Sequence, residues 1–302
     1  KFGYNKIPIY CDEHLDETLK NLDNAWNETN KNISNGTNKD IELIRDKDDN
    51  ISWKLLYDAK EELDDSFFSN LPRIEIAELL KFIADKINLW DGFTHIKHRY
   101  VKQKKPIKLA MVAGILAEAF GFTIAEMSEI CDINLNTLRS NREDFIRLET
   151  FSATNNIICN YIYELEIFKA WNLFDGELLA DADGKKHQTS NATIQSRYSK
   201  KYFGRGKGIS IYSLVANHVV VNAKNIGLNE YEGHNLYDII YNNKSNITID
   251  HVTGDNHSNN PINFVILDSI DVGYLPSLKN IKQEAEKLYS FQDISEYEGL
   301  LL

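Results

Sequence analysis

The stretches Leu178-Leu-Ala-Asp-Ala-Asp-Gly184 and Ile247-Thr-Ile-Asp-His-Val-Thr-Gly-Asp255 decide how this chain reads. Residues 178–183 and 247–253 each follow the period of two expected of a strand, and each run closes on an aspartate, Asp183 and Asp255. Residues 209–216 and 219–226 carry the same pattern. Working outward, Asn229 and Glu232 stand where they would cap a helix running to Tyr241, with Leu236, Ile239 and Ile240 inward. Asn260-Pro261 opens a second helix carrying Phe264, Leu267 and Ile270, which Gly273 is expected to stop before a short strand over residues 272–275.

That order is three strands joined by hairpins, then helix, strand, helix and strand. It predicts an α/β, ribonuclease-H-like mixed sheet over the C-terminal half of the chain. Residues 73–171 read as mainly helical: one helix over residues 107–120 ends at Gly121, and a restart follows where Thr123 and Glu126 form a capping box. Residues 1–70 are set apart by an acidic amphipathic helix over residues 12–30 with Leu15, Leu19, Leu22 and Trp26 on one stripe, a loop over residues 31–39, and a hairpin turning at Asp48-Asp49-Asn50. The expected domains are therefore residues 1–70, a peripheral element, 71–171, a helical region that could contact DNA, and 172–302, the mixed sheet.

Composition narrows the function. At 302 residues and 42% hydrophobic the chain can bury a core. No run of eighteen apolar residues occurs and the first residues have no signal-peptide layout, which predicts a soluble, cytoplasmic protein, with Lys1 marking a piece of something longer. Cys11, Cys131 and Cys159 are widely spaced and form no C-x-x-C, so they predict buried thiols and argue against a disulfide framework or zinc cluster. A net charge of -11 argues against a chain that simply coats DNA. Residues 1–70, however, hold 9 basic against 16 acidic residues, which leaves room for local basic surfaces elsewhere.

Three segments carry candidate chemistry. In a ribonuclease-H-like sheet the first and fourth strands are parallel neighbours about 4.8 Å apart, so carboxylates at their ends can share a metal pair ~3.5–4 Å apart. Asp183 and Asp255 occupy those ends, with Asp181 on the same strand face as Asp183. Hard oxygen donors suit Mg²⁺, with Mn²⁺ as substitute. Spacing alone leaves a second reading level with this one, because Asp183-Gly184 and Gly254-Asp255 are also ordinary turn dipeptides.

Between the aspartates, Arg197-Tyr-Ser-Lys-Lys-Tyr-Phe-Gly-Arg-Gly-Lys207 places five cations with three aromatics. Arg197, Lys200, Lys201, Tyr202, Arg205 and Lys207 are the candidate nucleic-acid contacts, favoured over a merely lysine-protected edge because the cluster opposes the sign of the whole chain. Residues 95–108 hold Lys97, Arg99, Lys102, Lys104, Lys105 and Lys108 with no acid, either a phosphate-tracking surface or a solvated loop. His95 and His98 lack a sequence-adjacent third ligand, which argues against metal there. Thr123 to Arg142 has a helix-turn-helix outline, but Glu129 stands where such motifs turn on Gly, so ordinary packing is favoured. His218, His234, His251 and His257 are read as structural, His257 least securely because it lies two residues past Asp255.

Arg197-Tyr-Ser-Lys-Lys-Tyr-Phe-Gly204, Val215-Ala-Asn-His-Val-Val-Val-Asn-Ala-Lys224, Ile226-Gly-Leu-Asn-Glu-Tyr-Glu-Gly-His234 and Gly273-Tyr-Leu-Pro276 resemble motifs of replicative transposases of the Tn-three transposon family. The likeness runs from Leu71-Pro-Arg-Ile-Glu-Ile76 to Tyr297-Glu-Gly299. It implies a ribonuclease-H-like fold with an Asp-Asp-Glu triad, Mg²⁺ as cofactor, and 3′-end nicking and joining of double-stranded DNA at terminal inverted repeats. It also implies a homo-oligomer in the full-length protein and a place on the nucleoid when DNA is bound. Asp183 takes the first acid and Asp255 the second.

The chain departs from the family's pattern in three places. It has Asp181-Ala-Asp-Gly184 for Ser-Ser-Asp-Gly, Gly254-Asp-Asn256 for Thr-Asp-Thr, and Ser277-Leu278 where an Arg is usual. None of Glu284, Glu286, Glu296 and Glu298 stands where the third acid would, so that acid is expected past Leu302 and the chain alone is expected to be inactive. The alternative is a non-catalytic DNA-binding or regulatory remnant of such a transposase.

Overall fold

The structure is a computed structural model that describes residues 11–56, 69–97, 99–101, 104–174, 176–255, 258–285 and 287. The chain divides into two compact units, one of Lys1–Leu71 with Ser277–Leu302, the other Pro72–Pro276.

In the first unit, helix α1 (Cys11–Ser34) runs four residues beyond the expected end, with Asp12 and Glu13 in its first turn and Lys31 in its last, each sign opposing the helix dipole. Gly36 in the left-handed region (φ +66) then turns the chain away. Leu19, Trp26 and Ile33 are the buried residues of this helix's apolar stripe, whereas Leu15 is exposed. Strands β1 (Ile41–Arg45) and β2 (Ile51–Leu55) form the expected antiparallel hairpin. Its turn is closed by Asp46, whose carboxylate accepts the backbone N–H of Asp48 and Asn50 at 2.9 and 2.8 Å.

The second unit begins with helices. α2 (Ile76–Lys86) and a 3-10 turn (Leu89–Gly92) lead to a connecting strap, residues 93–107, of which 98, 102 and 103 are not described, and then to α3 (Lys108–Phe120), which ends at Gly121 (φ +74). α4 (Ile124–Ile130) starts with the expected capping box between Thr123 and Glu126, and α5 (Leu135–Phe145) is capped by Asn134. Ala110, Ala113, Ala117, Met127 and Leu138 form the core between these three helices. Two short helices packed in this core flank the segment, and Glu126, Glu129 and Asp132 are exposed on it, a sign unsuited to phosphate. α6 (Leu148–Tyr163) and α7 (Glu166–Ala170) complete the region. Cys159 on α6 is buried as expected, and burial pushes its thiol up, whereas Cys131 is only partly buried. No single described helix is long and apolar enough to cross a membrane.

The sheet follows. β3 (Leu179–Gln188) pairs antiparallel with β5 (Lys207–Ala216) and parallel with β7 (His251–Gly254). β4 (Arg197–Tyr198) and β6 (Val219–Gly227) both pair with β5, and β8 (Gly273–Tyr274) runs parallel to β7. This mixed α/β sheet has the ribonuclease-H-like order, with β3 at its centre and its first and fourth long strands adjacent. A helical turn, α8 (Lys200–Phe203), forms the tip between β4 and β5. Helix α9 (Leu236–Tyr241) buries Leu236, Ile239 and Ile240, and α10 (Pro261–Asp268) buries Leu267.

Three boundaries differ from the sequence reading. β3 continues five residues past Asp183, because its partner β5 supplies ladder bonds as far as Gly208. The helix expected from Asn229 begins instead as a 3-10 turn (Glu232–Asn235) with no side-chain cap, since the Glu232 carboxylate is engaged elsewhere. α10 stops at Asp268, and Asp271 at φ +59 turns the chain into β8, so Gly273 lies within a strand.

Between β5 and β6 the chain turns on Asn217 and His218, both at positive φ (44 and 65), as a two-residue hairpin of this twist requires. The Asn217 amide donates to the Phe168 carbonyl (2.6 Å) and Asn172 Oδ1 (2.7 Å), tying the hairpin to α7. Asn217→Ala loses both bonds and the residue type that tolerates this φ. A loss of about 1–3 kcal/mol is expected in urea denaturation.

Asp144 at the end of α5 gives a pH prediction. Its hydrogen bond from Lys104, aided by the charges of Lys104 and His95, outweighs burial and holds its carboxyl below the ordinary range. The stabilisation is full above the unfolded value of about 3.9 and is lost as pH falls through the lower folded value. Asp144→Asn should therefore cost about 1 kcal/mol at neutral pH, and the gap to the parent should close as pH drops below 4 in thermal melts.

Candidate active site

The parallel register of β3 and β7 sets Asp181 beside Thr253 and Ala182 beside Gly254. One further step brings Asp183 level with Asp255, which directly follows β7. Strand alternation divides these residues between two faces. Ala180, Ala182, Val252 and Gly254 are buried, while Asp181, Asp183 and Asp255 are exposed. Asp183-Gly184 is thus no turn: both residues lie within the ladder, opposite Ser213 and Tyr212.

The carboxylates feel one another. Asp181 is pushed above the ordinary carboxylate range first by burial around it, then by the charge of Asp183 and, more weakly, of Asp255. Asp183 Oδ1 accepts the Gly184 N–H at 2.8 Å, and Asp255 Oδ1 accepts the Ser258 N–H at 3.1 Å. Ser258 Oγ donates to the Asp255 carbonyl (2.6 Å), and the Tyr274 hydroxyl donates to the Ser258 carbonyl (2.7 Å). Asn256 and His257 lie outside the described residues.

Hard carboxylate oxygens in mutual repulsion are the donor set that suits a divalent cation such as Mg²⁺, which fills its remaining positions with water or phosphate oxygen. Among the described residues no three His, Cys, Asp or Glu side chains close round a point that would hold a metal ion. The donors present fit an open site rather than a cage.

Sequence reasoning missed the support on the opposite face. Lys186 Nζ and Ser210 Oγ both donate to Glu232 Oε1, at 2.8 and 2.9 Å, and all three groups are largely buried. Burial alone would lower the Lys186 pKa, but the Glu232 hydrogen bond and charge, with Tyr202 and Asp183 adding, raise it. A Cβ built on Gly184 would overlap the Glu232 carboxylate, so a larger residue after Asp183 would displace the end of that side chain from Lys186 and Ser210. The one available signal was this glycine inside a strand pattern. Beneath it, Tyr212 is buried with no hydrogen-bond partner for its hydroxyl in the described residues, and burial pushes its phenol strongly up.

The basic segment is a hairpin with a helical tip. Lys186 and Lys201 each lie 5.0 Å from the ring centre of Tyr202, and Lys207 lies 5.0 Å from that of Tyr198. Since Lys186 is on β3, Tyr202 fastens the tip to the strand that carries Asp183. The Arg197 guanidinium donates to the carbonyls of Ile194 (2.7 Å) and Ser196 (3.0 Å), a structural use. Lys200 and Arg205 make no such bond within the described residues. Three of the histidines have structural contacts: His218 packs edge-on to Trp171, His234 against Tyr231, and His251 Nε2 meets Glu177 at 2.7 Å.

Strand order and acidic face together define a ribonuclease-H-like domain. A family model described as the Tn3 transposase DDE domain matches residues 78–301, and the chain belongs to that family. It is 26% identical over 149 residues to the transposase for transposon gamma-delta of Escherichia coli (strain K12), covering 49% of this chain and 14% of that protein. It is 20% identical over 237 residues to the transposase for transposon Tn1546 of Enterococcus faecium, covering 78% of this chain and 23% of that protein. The chain thus spans less than a quarter of the length of these relatives.

Gly184→Ala should cost about 1 kcal/mol in denaturant unfolding, because the end of the Glu232 side chain is pushed from Lys186 and Ser210. In a Glu232→Ala background the same substitution should cost clearly less, the non-additivity expected of groups in contact. Equal costs in both backgrounds would remove Glu232 as the reason for the glycine.

Proposed function

We propose that this chain carries part of the catalytic core of a DNA transposase, with Asp183 and Asp255 holding divalent metal, Mg²⁺ or Mn²⁺ in its place. The observation that carries this reading is the register that brings two aspartates level on adjacent parallel strands of a ribonuclease-H-like sheet. The reaction is 3′-end nicking at terminal inverted repeats followed by joining of those ends to target DNA.

The bound metal would activate the attacking hydroxyl or water and stabilise the leaving 3′-oxygen. The remaining work falls to the chain's own residues. Asp183 is fixed within the β3 ladder, and Asp255, directly after β7, is held by the backbone N–H and hydroxyl of Ser258. Asp181 adds negative charge that strengthens attraction for the cation. Lys200, Lys201, Arg205 and Lys207 take phosphates of the double-stranded DNA flanking the scissile bond, and Tyr202, held by Lys186 and Lys201, offers a ring face or hydroxyl to the strand. Arg197 shapes the hairpin more than it touches DNA. The full-length protein works on DNA as a homo-oligomer.

Calorimetric titration with Mn²⁺ tests the assignment. Asp183→Asn and Asp255→Asn should each weaken binding at least about tenfold, as expected when a charged ligand is lost from a site of few ligands. Undiminished Mn²⁺ binding in both variants would place the metal elsewhere and end this reading.

A further inference from the structure

We propose that the strap between the 3-10 turn and α3, carrying Lys97, Arg99, Lys105 and Lys108, is a preformed contact for the phosphate backbone of duplex DNA. This rests on the reading that the chain handles DNA, and adds a surface separate from the basic hairpin.

The described residues of the strap are held by specific contacts. Asp144 on α5 receives Lys104 and lies 3.4 Å from His95 Nε2, while its backbone carbonyl accepts the Ile96 N–H at 2.7 Å. At the other end the Ile107 N–H donates to Asn141 Oδ1 at 2.9 Å, and between them Lys97 closes a turn by accepting the N–H of Tyr100 and Val101, both at 2.9 Å. The carboxylate missing from the neighbourhood of His95 in sequence is thus supplied by Asp144 from α5, and it is occupied by Lys104 rather than open to a metal.

This clasp uses one cation; Lys102 lies outside the described residues, and four others remain. Lys97, Arg99, Lys105 and Lys108 make no ion pair within the described residues, and all are exposed. Tyr100 stands among them at 88% exposure, an amphipathic ring with no core to enter. Lys104, Lys105 and Lys108 line a groove of about 390 Å³ with Trp90 and Thr94, where Asp91 is the one acid. The same groove runs to the start of α3, which has no side-chain cap and no acid in its first turn, so the dipole adds positive potential.

These exposed cations oppose the sign of a chain of net charge -11 and form a local basic surface of the kind that the phosphates of a duplex neutralise. The contacts to Asp144 and Asn141 already hold described parts of the strap in place, so less ordering is required of them on binding. Phosphate contacts position DNA without reading its sequence.

The test is fluorescence anisotropy of a labelled duplex of arbitrary sequence, about 30 base pairs long, over a series of KCl concentrations with the whole chain. The variant carries Lys97→Gln, Arg99→Gln, Lys105→Gln and Lys108→Gln, and leaves Lys104 in place to hold Asp144. Loss of phosphate contacts should weaken binding about tenfold at moderate salt and flatten the plot of log affinity against log salt by about 2 or more. Replacing the lysines by Arg instead should preserve the slope. A control with Lys20→Gln, Lys31→Gln, Lys39→Gln and Lys47→Gln removes the same charge from the other unit and should bind as the parent does.

An unchanged slope in the strap variant overturns the inference. If the slope is then lost on changing Lys200, Lys201 and Arg205 to Gln, the DNA reading survives without the strap. If the parent shows no salt-dependent binding, both fall. Preference for an RNA duplex of equal length would also overturn the assignment to DNA.

Discussion

The parallel pairing of β3 with β7 is the constraint on which the rest depends. It brings Asp183 level with Asp255, and alternation keeps Asp181 on the exposed face beside them. Like charges in such proximity repel, and Asp181 is pushed up first by burial and then by the charges of Asp183 and Asp255. A sheet tolerates it only if the strands are held from elsewhere. Here the hold comes from the opposite face, where Ala180, Ala182, Val252 and Leu214 are fully buried.

Support and chemistry are linked through the residues between. Lys186, three positions beyond Asp183, turns to the buried face and meets Glu232, while its ammonium also faces the ring of Tyr202. The basic tip, the central strand and the 3-10 turn before α9 therefore share one charged side chain. Removing Glu232 would leave Lys186 partly buried without its carboxylate, the costly half of a buried pair. The glycine that follows Asp183 allows this crossing.

Much of this was legible in sequence because it is local. Period-two runs marked β3, β5, β6 and β7, Gly121 marked the end of α3, and Thr123 with Glu126 marked the start of α4. What could not be read was set by distant partners. Lys185-Lys186-His187-Gln188 looks like the end of a strand, yet pairing with β5 carries it on. Glu232 looks like a helix cap, yet its partners lie on β3 and β5. His95 and Asp144 are far apart in the chain and meet only once α5 folds back onto the strap. The aspartates were visible as residues, but their level placement belongs to the register.

The most direct measurement is the anomalous scattering of Mn²⁺ in crystals of this chain. The account predicts a peak within about 2.0–2.4 Å of carboxylate oxygens of both Asp183 and Asp255, on the exposed face of the sheet. A peak held by other residues, or none at saturating Mn²⁺, would contradict it.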